Sequence, residues 1–316
     1  MCFRMKSNIA MRSSITCLLL VFCSISTTFV DGLDHYVGHK DFDTMFRECG
    51  VYFDVPDCIL DEYVVNAYPD EPEVRDLIHC TLVGSKAWHD GSGVVEHVIS
   101  NFFNPDPEDT CYAGRTRDCI QNSMATGDNN VTLAYKVFKC YYRQYGNLNH
   151  SAQFLPCSAQ ELQVLIKTSI AIVNVTLDEL VKYSNGILLD QPQFIELIYV
   201  IFVRGGFYCT GQGIMLNNLH TQFGNPELLI PETQQCVNVV NAAWDGHRKR
   251  DLIYAYFVKC LRRNTPWLQL IQDVAASLVA VGPAPCLPPS TTSTTTTTTT
   301  TAPPPNTMRP YYNVKN

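Results

Sequence analysis

Fourteen cysteines are the most reactive side chains in this 316-residue sequence. Cys2, Cys17 and Cys23 precede residue 32, and eleven more run from Cys49 to Cys286. A thiol can attack a substrate, ligate a metal or pair oxidatively, and its neighbours decide which. No Cys-x-x-Cys pair is present to hold a metal or run a redox couple. Nor is there an H-E-x-x-H, G-x-S-x-G, P-loop or dinucleotide fingerprint. The adjacent acids Asp61-Glu62 and Asp178-Glu179 fall on polar helix faces rather than converging on a cleft. A lone Cys209 is a conceivable nucleophile, but an odd cysteine is more often structural or intermolecular. The residues therefore predict no enzyme, no cofactor and no metal site, and leave oxidative pairing as the chemistry of the cysteines.

Pairing requires an oxidising compartment, and the ends of the chain predict one. Arg4, Lys6 and Arg12 precede the apolar run "ITCLLLVFCSISTTFV", which reads as a signal peptide over residues 1–32. No later stretch is apolar enough to span a bilayer, so the mature chain is expected outside the cell. Three N-glycosylation sequons agree with export: Asn130-Val131-Thr132, Asn149-His150-Ser151 and Asn174-Val175-Thr176. From residue 287 to 316 the sequence becomes Thr- and Pro-rich, the composition of a disordered, O-glycosylated stalk. Net charge is −7 and the one short basic run is "HRKR" at residues 247–250, which argues against nucleic acid as a partner.

Between these ends the sequence repeats itself. "IHCTLVGSKAWHDGSG" from Ile78 is echoed by "IYVIFVRGGFYCTGQG" from Ile198. Each copy passes from an apolar run through a small pair (Gly84-Ser85, Gly205-Gly206) to an aromatic (Trp88, Tyr208) and two glycines (Gly91 and Gly93, Gly211 and Gly213). One fold used twice is expected. The other segments have helical spacing: Leu133, Val137, Phe138 and Tyr141 share one face, as do Ile253, Tyr256, Phe257, Cys260 and Leu261. Ser158 with Glu161 three residues on has the spacing of a capping box. The expectation is an all-α protein of two tandem domains, 33–148 and 149–286.

Cys49, Cys80, Cys119 and Cys140 lie 31, 39 and 21 positions apart. With the "RGGFY" motif and its glycine turn, that spacing resembles the insect odorant-binding protein (PBP/GOBP) family, and the doubled pattern resembles mosquito double-domain members. The family's six cysteines pair first with third, second with fifth and fourth with sixth. The resemblance implies Cys49–Cys80 and Cys119–Cys140 in the first domain, with Asp76 and Val131 at the vacated second and fifth sites. In the second domain it implies Cys236–Cys260, with Ile166, Glu196, Val200 and Asp251 at the other sites. Cys58 and Cys111 have no counterparts in the second copy and are expected to pair with each other. Cys157 and Cys286 bracket the second domain and are expected to close it, leaving Cys209 over. The alternative is a Cys157–Cys209 bridge with Cys286 tied to another molecule, which leaves a dimer open.

A family of this kind implies a secreted carrier that encloses a small hydrophobic ligand (an odorant, pheromone or lipid-like molecule) in helical cavities. The aromatic residues expected to line them are Trp88, Phe102, Phe103, Tyr135, Phe138 and Tyr142 in the first domain. In the second they are Phe202, Phe207, Tyr208, Phe223, Trp244, Tyr254 and Phe257, with Met215 beside them. Plain core packing is the competing reading for each. Eight histidines, among them His89, His97 and His220, are groups that acidification would charge. Chemosensory receptors are the partners a carrier implies. Two other outcomes of the same ancestry are a structural protein of an eggshell- or cuticle-like matrix and a salivary ligand scavenger.

Overall fold

The structure, a computed structural model, describes residues 37–124, 127–189, 191–244 and 246–281. The expected signal segment, the Thr-rich tail and Cys286 lie outside them. The first half runs β1 (Gly38–Lys40), α1 (Phe42–Tyr52), α2 (Asp57–Val65), α3 (Pro72–Gly84), β2 (Trp88–His89), β3 (Gly93–Val94) and α4 (Glu96–Ile99). It continues through β4 (Phe103–Asn104), α5 (Tyr112–Ser123), α6 (Asn130–Cys140), a π-turn at Tyr141–Tyr145 and β5 (Asn147–Leu148), and β6 (Gln153–Leu155) opens the second half. The second half holds α7 (Ala159–Val173), α8 (Leu177–Ser184), α9 (Pro192–Arg204), β7 (Tyr208–Cys209), β8 (Gly213–Ile214) and α10 (Leu216–Phe223). It ends with α11 (Pro231–Ala243), α12 (Lys249–Tyr256) and α13 (Trp267–Val281).

Local chemistry fixes most helix starts. Asp41, Asn129, Ser158 and Thr176 each accept a backbone N–H of the first turn they precede. At α7 Glu161 returns the favour to the Ser158 N–H, completing the capping box. Pro72, Pro192 and Pro231 open α3, α9 and α11, where a missing N–H costs nothing. The chain is mostly helical, and its strands are short two-stranded ladders.

The repeated motif is a hairpin. Trp88 pairs with Val94 and His89 with Gly93, and in the second copy Tyr208 pairs with Ile214 and Cys209 with Gly213. Both hairpins leave a helix through a residue with positive φ, Lys86 (62°) and Gly206 (71°). A side chain at 206 would also meet an obstacle, because a Cβ there would stand 2.8 Å from Val37. Glycine is thus required twice over at that position, by conformation and by space.

Two hydrophobic cores result. One gathers Phe42, Phe46, Leu77, Ile78 and Phe138, the other Leu165, Phe194, Ile198, Phe257 and Trp267. Disulfides Cys49–Cys80 and Cys119–Cys140 tie α1 to α3 and α5 to α6, and Cys236–Cys260 ties α11 to the π-turn at Phe257–Leu261 that follows α12. The expected Cys58–Cys111 bridge is not formed: both are free, exposed thiols. Cys58 rides on α2, which packs against α1, whereas Cys111 precedes α5, which packs against α6 and the π-turn. α13 has no counterpart in the first half; it lies along α8 and α7.

The halves meet through a strand pair and a helix pair. β1 at the start of the first core pairs antiparallel with β6 at the threshold of the second, matching Gly38 to Leu155. α4 lies against α10, where the Asn101 amide donates to Thr221 Oγ1 at 2.6 Å and the His97 and His220 rings stand 6.0 Å apart. Lys86 adds an ion pair to Glu161. Burial works to raise the Glu161 carboxyl, but hydrogen bonds from Lys86 and Ser158 overcome it and hold its pKa at about 2.

Two outcomes follow from this architecture. Replacing Cys236 and Cys260 by serine opens a loop of 24-residue separation, and the chain-entropy model gives a loss of about 3 kcal/mol; urea unfolding followed by circular dichroism measures it. The second concerns pH. Burial lowers the pKa of both His97 and His220, and a positive charge on His220 depresses His97 further. Folding therefore favours the neutral rings. Their contribution is complete above the unfolded value of about 6.5 and is lost as the pH falls below it toward the folded values. His97→Gln with His220→Gln should flatten the drop in melting temperature between pH 7.5 and 5.0; an unchanged drop would assign it to carboxylates instead.

Candidate functional site

The aromatic residues expected around a ligand come together in two groups, and their rings touch one another. Phe138 stacks on Phe42 at 5.1 Å, meets Tyr68 edge-on at 5.1 Å and lies beside Phe103 and Tyr142. Phe102 and Tyr135 are buried in the same core, the Tyr135 hydroxyl donating to the Tyr68 carbonyl at 2.9 Å. Trp88 is buried on its hairpin and donates its indole N–H to Asp90. In the second core Phe202, Phe207 and Phe223 surround Trp267, and Phe257 packs against Phe202. Tyr208 is buried nearby, and Met215 is half-buried at the start of α10.

Trp244 and Tyr254 pack against the edge of the second core, away from Trp267. Trp244 is half-buried, its ring 5.0 Å from His247 and covered by Lys259. Tyr254 reaches the Leu189 carbonyl with its hydroxyl and meets Phe194 edge-on. Phe42, Tyr68, Phe194 and Trp267 complete the two aromatic groups although sequence reasoning did not single them out. The signal was available for Trp267, which follows Pro266 at the head of an apolar run of helical period.

Open space lies at the margins of these cores. A cleft of about 360 Å³ at the junction is bordered by Glu96, His97, Arg117, Tyr141, Tyr145 and His220. Two smaller cavities occupy matching places beside surviving bridges. One of about 270 Å³ adjoins Cys119–Cys140 and Lys139; the other, about 310 Å³, adjoins Cys236 and Lys259. The largest of those described, about 440 Å³, opens beside Tyr199 and Val200 of α9. These are sizes that suit small organic molecules. Of the residues expected to line a pocket, Tyr135 alone borders one of these cavities.

Burial raises the pKa of Tyr68, Tyr135 and Tyr141, Tyr135 to about 12, so these phenols remain protonated donors at neutral pH. The described residues contain no cluster of His, Cys, Asp or Glu suited to a metal ion. None of their helices is long and apolar enough to cross a membrane. The exposed side chains of Asn130 and Asn174 are accessible, whereas the half-buried Asn149 accepts from Ser151.

Comparison with known proteins agrees with the bridged helical frame. Residues 38–144 match the PBP/GOBP family. The chain is 28% identical over 204 residues to "General odorant-binding protein 69" of Anopheles gambiae, an alignment covering 60% of this chain and 87% of the relative. No solved structure gives a significant match. The family match coincides with the first core and both of its disulfides, and the likeness to the PBP/GOBP family lies in those residues.

Proposed function

We propose that the protein is a secreted, non-enzymatic carrier of small hydrophobic molecules, built from tandem domains at 33–148 and 149–286. The observation that carries this reading is the family match over a bridge-tied helical core. Helices held by covalent ties can keep space between them that an untethered core would close, since interiors tend toward close packing. Apolar ligand area removed from water supplies the affinity, at about 25 cal/mol per Å². The aromatic sets around Phe138 and Trp267 would receive a ligand by rotating rings apart. Tyr135, already beside a cavity, is the natural point of entry in the first domain.

The free, exposed thiols of Cys58, Cys111 and Cys209 favour a second reading, a cross-linked matrix protein on the same fold. Native mass spectrometry of the secreted protein, followed by extraction of any bound molecule, separates the two. The carrier reading expects a stoichiometric hydrophobic adduct, and its copy number reports whether one domain or both are loaded. A ligand-free mass that also ignores a hydrophobic fluorescent probe, together with disulfide-linked multimers on a non-reducing gel, would establish the matrix reading.

A further inference from the structure

The basic run at residues 247–250 plays no part in either core. Arg248 stands at the N-cap of α12 with no side-chain cap, and Lys249 and Arg250 open the helix. All three border the 440 Å³ cavity, whose other wall is apolar: Ile172 and Val173 at the end of α7, Tyr199 and Val200 on α9. Ile172 is exposed to solvent and Val173 and Tyr199 are half-buried, so hydrocarbon surface lies open directly beside cations.

The local charges do not cancel. Arg250 pairs with Glu196, which also borders the cavity, and Arg248 pairs with Asp251 at 2.8 Å. Lys249 forms no ion pair among the described residues. Three cations thus face two carboxylates, leaving one net positive charge. The unbonded amides at the start of α12 add positive potential in the same place. The space itself has a structural origin. Val200 stands one repeat away from Cys80, and in the first half the Cys49–Cys80 bridge ties α1 to α3 at the corresponding place. Here α7 and α9 pack directly, with buried Ile166 and Val200 at the places of the two cysteines, and the space opens between their outer edge and the start of α12.

We infer that this cavity binds an amphipathic anion, a free molecule with a hydrocarbon body and a carboxylate-like head. The body would lie on Ile172, Val173, Tyr199 and Val200, and the head would take Lys249 as its counter-ion, with Arg248 and the α12 amides beside it. The site rests on the carrier reading and specifies which ligand chemistry one end of the molecule selects.

The test uses the full secreted chain, a dansyl-labelled undecanoate and the methyl ester of the same probe. A charge-assisted contact at an accessible site predicts that the acid binds about tenfold or more tightly than the ester. Raising the salt concentration should weaken the acid alone. Lys249→Glu, at an exposed position, should abolish the difference between the probes, and Ile172→Trp should weaken the acid by filling the apolar wall. Equal binding of acid and ester, or acid binding untouched by both substitutions, would overturn the inference while the bound ester keeps the carrier reading intact. Failure of both probes to bind would overturn both.

Discussion

Left-handed backbone immediately after α3 and α9 is the constraint on which the rest of the molecule depends. At Lys86 and Gly206 the chain leaves a helix with positive φ and enters a two-residue hairpin. The amides of Val95 and Met215 then reach back to the carbonyls of Ala87 and Phe207, closing the same small knot in each half. That knot delivers α4 and α10 to the junction, where Asn101 meets Thr221 and His97 meets His220. A chain that extended at this point would have no means of presenting either helix to the other. Glycine relieves the strain in the second copy, whereas Lys86 carries a cost of order 1 kcal/mol that the surrounding packing must offset.

The two halves hold their helices by different means. Among the described residues the first has two covalent ties and the second has one. At the position where the resemblance places a second family cysteine, Glu196 instead makes an ion pair with Arg250, linking α9 to α12. The pair is partly exposed, and such pairs contribute at most about 1 kcal/mol, well below a disulfide's typical 2–4 kcal/mol. Packing has to make up the difference. α13 supplies it by laying Trp267, Ile271, Val274 and Ala275 onto the second core, burial that the first half lacks.

How much of this could be read from the residues follows the range of the interactions. The Ser158–Glu161 capping box spans three positions and was visible, as were the helical faces around Phe138 and Phe257. The repeat at Ile78 and Ile198 was visible too, though not that its glycines serve a hairpin, because the ladder is only two residues long. Pairing between β1 and β6 joins residues more than a hundred positions apart and leaves no local trace. The reasoning for Cys58 and Cys111 failed for a related cause: absence from the second copy says nothing about which way α2 and α5 face. The ring-to-ring contacts at Phe138 and Trp267 likewise depend on packing, and composition cannot distinguish a filled core from a lined cavity.

The junction itself brings corresponding parts of the repeat together. Asn101 and Thr221 are separated by 120 positions, the same interval that relates Trp88 to Tyr208 and Gly93 to Gly213. A face that meets its own counterpart is the geometry by which identical subunits form a two-fold pair. Here both faces belong to one polypeptide, so their encounter is intramolecular and its effective concentration is set by the chain. Dilution cannot separate them, and neither α4 nor α10 has that face left to offer another molecule.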